Sequence, residues 1–117
     1  MVPGYRLNVH FYKTDSGTEP VREWLKNLDS KSRKIIGEDI KTVQFGWPLG
    51  MPLVRKMEKN LWEIRVELDK RTARILFTSH DEMMILLHGF IKKSQKTPAS
   101  DLRLAKQRLA TLRGRHE

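Results

Sequence analysis

Hydrophobic and polar positions recur along this chain with two different periods, and the change of period separates predicted strands from predicted helices. Residues 5–12 alternate with period two, which is typical of a strand with one buried face. From Pro20 to Leu28 the apolar residues fall at helical spacing, and proline suits a first helical turn. A second helix is predicted from residue 30 to about residue 45, after a cap at Asp29 or Ser30, with an inward stripe of Ile36, Ile40 and Val43. The short joint predicts a helical hairpin.

The second half of the chain returns to the strand period after a loop rich in glycine and proline. Four short strands are predicted at residues 54–58, 61–68, 72–78 and 83–90, joined as an antiparallel meander. The last of them is almost wholly apolar, so we expect it at the centre of the sheet. A closing helix is predicted after Thr97 as cap and Pro98 as first position, with an inward face of Leu102, Ala105, Leu109 and Leu112 and a stop at Gly114.

These elements predict an α+β fold in the order β-α-α-β-β-β-β-α. An antiparallel-rich sheet of about five strands would carry an N-terminal helical hairpin and a C-terminal helix. A chain of 117 residues supports one hydrophobic core, so a single domain over residues 1–117 is expected. Residues 113–117 are expected to fray.

Composition excludes several kinds of site. The chain has no cysteine, which rules out disulfides and thiolate zinc sites and suits a reducing compartment. Its four histidines lack paired ligand spacing, so no metal site is expected. It also has no glycine-rich phosphate loop, and no other cofactor is expected. No apolar stretch approaches the length of a membrane span, and residues 1–10 lack the layout of a signal peptide. We therefore expect a cytoplasmic protein with no membrane partner.

Positive charge is the strongest chemical signal in the sequence. Lysine and arginine number 23 against 14 acidic residues, a formal net charge of +9, which favours nucleic acid, an anionic membrane or an acidic protein as partner. The excess is local, since residues 91–117 contain eight basic and two acidic side chains.

The strand alternation predicts where part of this charge lies. In the second strand of the meander the apolar residues take one face, which leaves Glu63, Arg65 and Glu67 on the other. Arg74 of the next strand is predicted on the same open side, and the turn after the last strand can bring the Lys92–Lys93 pair close. The pattern predicts a basic cleft, although Arg65 paired with its two glutamates on an ordinary solvated surface remains an equal interpretation.

The histidines and aromatic residues have simpler interpretations. His88 lies in the most apolar strand, where a hydrogen-bonded core histidine is favoured over a catalytic one. His10, on the polar face of the first strand, is a weak candidate for a titrating group. The tryptophans lie on apolar stripes or in the loop, so core packing is favoured over base stacking.

Three segments together carry a family resemblance. They are Lys56-Met57-Glu58-Lys59-Asn60-Leu61-Trp62-Glu63-Ile64-Arg65, then Arg74-Ile75-Leu76-Phe77, then Leu87-His88-Gly89-Phe90-Ile91-Lys92-Lys93 through Thr97-Pro98. The chain resembles, over nearly its whole length, the phage-derived HigB-type toxins of the RelE/ParE superfamily. The resemblance implies a RelE-like fold, which agrees with the predicted order of elements.

The resemblance also implies an activity and partners. Such proteins are toxins of type II toxin-antitoxin systems, usually ribosome-dependent endoribonucleases (mRNA interferases) that cut mRNA on the 70S ribosome and arrest growth. A cognate antitoxin, usually a helix-turn-helix protein, silences the toxin. Operator DNA would be bound only through the toxin-antitoxin complex.

The site implied by the resemblance coincides with the predicted cleft. The resemblance implies that Arg65, Arg74 and the Lys92–Lys93 pair hold and activate the phosphate. With Glu63 added as a carboxylate, the candidate catalytic residues are Arg65, Arg74, Lys93 and Glu63. The candidate RNA-binding residues are Lys92, Lys96, Lys56, Arg103 and Lys106. The reaction would be metal-independent attack of the ribose 2′-hydroxyl on its own 3′ phosphate, and guanidinium groups suit the charge that develops there. Lys93, Glu63 or Glu58 could transfer protons. A tyrosine near the C-terminus, used by many RelE-like enzymes, has no counterpart here.

Two other functions are compatible with the same sequence. A ParE-like toxin shares this fold but inhibits DNA gyrase by binding, without hydrolysis, and would not need the cleft residues. A passive basic module would only dock on RNA, with an affinity that salt weakens steeply.

Overall fold

The elements of the protein follow the predicted order. The computed structural model describes residues 7–92 and 97–115. The elements are β1 (Asn8–Phe11), α1 (Pro20–Lys26), α2 (Ser30–Gly46), β2 (Val54–Glu58), β3 (Leu61–Leu68), β4 (Arg71–His80), β5 (Met83–Lys92) and α3 (Ala99–Arg115). The predicted α+β class is confirmed, and the bounds of β2 and β3 agree with the prediction.

One five-stranded sheet organises the molecule, with the strand order β1-β5-β4-β3-β2. Strands β2 to β5 form the predicted antiparallel meander. β1 joins the other edge, parallel to β5, with Asn8 opposite Met83 and Phe11 opposite Leu86. β5 is therefore an interior strand, as its apolar sequence indicated, but β4 and not β5 is central, because β1 alone lies beyond β5.

Helices cover the two faces of the sheet unequally. α1 and α2 pack on one face, where the stripe of Ile36, Ile40 and Val43 is buried as predicted. α3 packs over β4 and β5 on the other face, with Ala105 and Leu109 buried. β2 and β3 form the rest of this face, next to the part that α3 covers.

The ends of the helices are held by specific contacts. Asp29 caps α2, since its Oδ2 accepts a hydrogen bond from the Ser32 amide at 3.0 Å. α3 continues past the predicted stop at Gly114, and the prediction of fraying from residue 113 is wrong over the described part. Arg115 donates to the Lys13 carbonyl at 2.8 Å and to Asp15 Oδ1 at 2.7 Å, which fastens the last turn to the loop after β1.

A bulge in β5 changes which residues face α3. Leu86 pairs with Phe77 and His88 pairs with Leu76, so Leu87 has no directly opposed partner. A bulge of this kind puts two successive residues on one face and reverses the alternation beyond it. Gly89 accordingly faces α1, so closely that a Cβ there would lie 2.5 Å from the Trp24 ring. His88, Phe90 and Lys92 are thereby directed to the α3 face.

Candidate functional site

A group of charged side chains lies on the α3 face of the sheet, where β2, β3 and β4 run side by side. Arg55 of β2 is opposite Glu63 of β3, and Arg65 of β3 is opposite Arg74 of β4. Directly opposed residues of antiparallel strands project to the same face. The predicted convergence of Glu63, Arg65 and Arg74 on one face is therefore present, and Arg55 joins them.

Glu63 and Arg74 form a buried pair. Both side chains are 0% exposed, and Glu63 Oε1 lies 3.5 Å from Arg74 Nη1. The Thr97 hydroxyl links them, because it donates to Glu63 Oε2 at 2.5 Å and accepts from Arg74 Nη1 at 3.1 Å. The residue expected to cap α3 thus has its hydroxyl bound to the sheet, and it holds the start of that helix against the pair.

The burial of Arg74 corrects its predicted exposure. Arg74 lies on the predicted face, but that face is not open at this position, because the start of α3 lies over it through Thr97. Arg65 is half-buried, and Arg55 and Glu67 are exposed. The solvent-accessible part of the charged group is therefore on β2 and β3.

The charges of this group act on one another, as the pKa of Arg74 shows. Burial lowers the pKa of the Arg74 guanidinium, and the nearby carboxylate of Glu63 raises it. The positive charges of Arg65 and Arg55 lower it further, and Glu67 opposes them. We call these five residues, Arg55, Glu63, Arg65, Glu67 and Arg74, the charged cluster. A phosphate bound beside it would offset the repulsion among its three guanidinium groups.

β5 adds an aromatic and a cationic residue to this face. Phe90 lies opposite Arg74, and Lys92 lies opposite Thr72 at the end of the strand, where it is half-buried. β5 continues past its predicted end at residue 90, so Lys92 belongs to the strand and not to the turn predicted after it. Positively charged residues therefore lie on three neighbouring strands, with Arg65 on β3, Arg74 on β4 and Lys92 on β5.

His88 forms a second polar pair on the same face. Its Nε2 lies 2.6 Å from Oδ1 of Asp101, which is in the first turn of α3, and the two side chains are 15% and 24% exposed. The imidazole also stacks on Phe90, with ring centroids 5.5 Å apart and planes inclined by 24°. The predicted hydrogen bond of His88 is confirmed, but the bulge places the ring at the α3 interface and not in the apolar core.

Comparison with known proteins identifies the family. The family described as "Phage derived protein Gp49-like (DUF891)" matches residues 23–110, which include every strand from β2 to β5 and most of α3. This chain belongs to the Gp49-like family. That family is a RelE/HigB-like toxin family associated with toxin-antitoxin systems, and it implies a cognate antitoxin as partner. No curated protein matches the chain.

The structure does not bring the remaining predicted site residues of this Gp49-like protein into the charged cluster. Lys93 and Lys96 lie outside the described residues. Lys56 is opposite Trp62, so it projects to the face covered by α2, away from the charged cluster. Lys106 pairs with Glu58 at 3.2 Å, and Arg103 is exposed on α3.

Sequence reasoning missed three residues of this candidate site. Arg55 follows the buried Val54 in β2, so simple alternation could have placed it with Glu63. Thr97 and Asp101 reach the sheet only because α3 folds back over it, and no local pattern shows that. In the described ranges, 7–92 and 97–115, no cluster of three or more His, Asp or Glu side chains could hold a metal. None of the described helices is both long and apolar enough to cross a bilayer.

Proposed function

We propose that this Gp49-like protein is the HigB-type toxin of a type II toxin-antitoxin pair and that it cleaves translated mRNA as a ribosome-dependent endoribonuclease. Membership of a toxin family supports the first part. One observation carries the second, namely the placement of Arg65 directly opposite Arg74 on the sheet face where Glu63 and Thr97 hold Arg74 in place.

The arrangement suits metal-independent phosphodiester cleavage. The ribose 2′-oxygen attacks the adjacent phosphorus, the bond from phosphorus to the 5′-oxygen breaks, and a 2′,3′-cyclic phosphate and a 5′-hydroxyl result. Negative charge accumulates on the phosphoryl oxygens during the attack, and donors fixed at that position stabilise it preferentially. In this proposal Arg65, half-buried opposite the buried Arg74, donates to these oxygens.

Arg74 and Glu63 have supporting roles in this proposal. With both side chains 0% exposed, direct contact with RNA would need α3 to move, whereas in place they add one fixed negative and one fixed positive charge beside Arg65. Lys92 continues the positive line along which the RNA backbone would lie, with Lys93, Lys96, Arg103 and Lys106 as further predicted contacts. Lys93 remains a proposed participant in catalysis.

The partners follow from this activity. A protein that cuts mRNA in the cytoplasm must be neutralised, so a cognate antitoxin, of the helix-turn-helix type, is proposed as its stable partner. The substrate complex is the 70S ribosome with mRNA in its decoding site. Operator DNA would be contacted only through the antitoxin complex.

Induced expression of three forms tests the proposal: wild type, Arg65→Ala, and the control Lys41→Ala, which removes an exposed cation from α2 on the other side of the sheet. Growth and the 5′ ends of cellular mRNA are followed together by primer extension. We expect new 5′ ends within translated codons for wild type and Lys41→Ala, and a loss of roughly 10²-fold or more for Arg65→Ala.

The other outcomes point to different functions. Growth arrest without cuts in mRNA would indicate a ParE-like inhibitor of DNA gyrase. Normal growth with uncut mRNA would leave a passive basic RNA-binding module. Equal cleavage by Arg65→Ala and wild type would show that the charged cluster takes no part in cleavage.

A further inference from the structure

We propose that His88, oriented by Asp101, is the general base that removes the proton from the 2′-hydroxyl. This inference rests on the proposed nuclease function and assigns its proton acceptor. The carboxylates suggested by the sequence are poorly placed for that step, because Glu63 is 0% exposed between Arg74 and Thr97 and Glu58 pairs with Lys106.

The contact between His88 and Asp101 determines which imidazole nitrogen can accept a proton. The separation of 2.6 Å between His88 Nε2 and Asp101 Oδ1 is that of a strong hydrogen bond. A carboxylate accepts the proton of Nε2–H, so the neutral ring has its lone pair on Nδ1. An acid that holds a histidine in one tautomer and orientation is the arrangement that prepares a histidine to accept a proton.

The bulge in β5 places this histidine next to the charged cluster. His88 is opposite Leu76, two residues from Arg74 on β4. Such diagonal neighbours in a sheet are about 7–8 Å apart between Cα atoms. Without the extra residue Leu87, continued alternation would direct His88 to the face covered by α1 and α2. Bulges beside active sites commonly redirect a side chain in this way.

The start of α3 joins the two polar groups. Thr97 contacts Glu63 and Arg74, and Asp101, four residues later, contacts His88. Thr97 lies just before α3, and Asp101 lies in the first turn of that helix. The same short segment therefore holds both the buried cation and the imidazole in fixed relation to each other, which a reaction with one phosphate and one adjacent hydroxyl requires.

Several charged or titratable side chains surround His88 on this face. Asp101 and Arg108 come from α3, and Arg108 donates to the carbonyl of Leu87 at 2.8 Å. Arg74 lies on β4, and Tyr12 follows β1, with its ring 5.9 Å from the Arg108 guanidinium carbon. On β5 itself Lys92 lies beyond Phe90. Of these groups, within the part of the chain that the structure describes, Asp101 is the one that hydrogen-bonds the imidazole ring.

The step balances without a further reactant. The proton of the 2′-hydroxyl passes to Nδ1 of His88 as the bond from the 2′-oxygen to phosphorus forms. The bond from phosphorus to the 5′-oxygen breaks, and that oxygen takes a proton from water. His88 later returns its proton to solvent, so the enzyme is restored after each cut.

The test measures single-turnover cleavage of mRNA on programmed ribosomes by the purified protein, as a function of pH. His88→Gln can still donate to Asp101 but cannot take up a proton, so the contact with α3 is kept. Asp101→Asn keeps the shape but can donate to Nε2, which favours the wrong tautomer. The controls are His10→Gln on β1 and His80→Gln at the end of β4, both exposed.

For wild type and both controls we expect a rate that rises with pH as the general base loses its proton. His88→Gln should lose that rise and cleave about 10²–10⁴-fold more slowly. Asp101→Asn should also be slow. If His88→Gln is less stable, its pH profile still decides, because a smaller folded fraction alters the amplitude of cleavage and leaves the rise with pH in place.

Two results would overturn the assignment. Cleavage by His88→Gln with the rate and pH profile of wild type would leave the proposed nuclease intact and show that His88 only ties α3 to the sheet. Absence of cleavage by wild type itself would remove the proposed function and this assignment together. Growth arrest in cells, measured with the same variants, separates a failed assay from an inactive protein.

Discussion

Glu63 and Arg74 face each other from neighbouring strands with 3.5 Å between Oε1 and Nη1, and neither side chain is exposed to solvent. Enclosing two charges is costly, and the attraction between them compensates only when hydrogen bonds satisfy the remaining polar atoms. The Thr97 hydroxyl contacts both partners, because it donates to Glu63 and accepts from Arg74. An apolar pair would fill the same space at less cost, so the charged pair is better explained by what it positions than by the stability it adds.

Truncating one member of this pair should destabilise the protein strongly. Glu63→Ala leaves Arg74 buried without its counter-charge, and we expect the free energy of unfolding to fall by roughly 3–5 kcal/mol. The double variant Glu63→Leu with Arg74→Met should recover much of that loss, because it removes both charges. Urea unfolding followed by circular dichroism measures each value.

Glu67→Ala is the matched control, since Glu67 lies on the same strand and face but is exposed. Its effect should stay within about 0.5 kcal/mol. A loss for Glu63→Ala no larger than that of Glu67→Ala would contradict the burial of the pair.

Two glycine-to-alanine substitutions should act in opposite directions. A Cβ at Gly89 would lie 2.5 Å from two carbons of the Trp24 ring, so β5 or α1 must shift, at a cost of about 1–3 kcal/mol. A Cβ at Gly37, inside α2, meets nothing within 4 Å, and alanine is the better helix former, so Gly37→Ala should stabilise by up to about 1 kcal/mol. Thermal unfolding of both variants beside wild type measures the effects, and destabilisation by Gly37→Ala would be the contrary result.

The cap of α2 should make stability depend on acidic pH. Hydrogen bonds from the side chain and then the backbone of Ser32 hold the pKa of Asp29 below its ordinary value of 3.8, and the charge of Arg71 contributes less. A carboxyl group whose pKa is lower in the folded state stabilises it fully above the unfolded value, and that contribution disappears as pH falls through the folded value. Wild type should therefore lose stability below pH 3.8 more steeply than Asp29→Asn, which keeps a capping side chain.

Urea unfolding at several pH values between 2 and 6 checks this prediction. Ser32→Ala removes the largest cause of the shift, so its pH dependence should fall between those of wild type and Asp29→Asn. Identical slopes for the three proteins would show that the cap does not contribute.

Local patterns were sufficient for the fold but not for the surroundings of the site. Alternation correctly separated Glu63 and Arg65 from the apolar residues of β3, because a half-buried strand imposes that pattern directly. It could not show that Arg74 is enclosed, since the covering residue, Thr97, is 23 positions away and arrives with α3. Alternation also could not predict the face on which His88 lies, because the bulge that decides it is a property of the register between β4 and β5.

The course of α3 offers a convenient place for a reporter group. Its 17 residues correspond to a length of about 25 Å. The helix begins at the polar contacts of Thr97 and Asp101 and ends at the loop after β1. Because the chain has no cysteine and Gly114 has open space around it, Gly114→Cys would provide a unique thiol for a fluorophore near that distal end. Such a label could follow docking onto ribosomes while leaving the opposite end of the helix unobstructed.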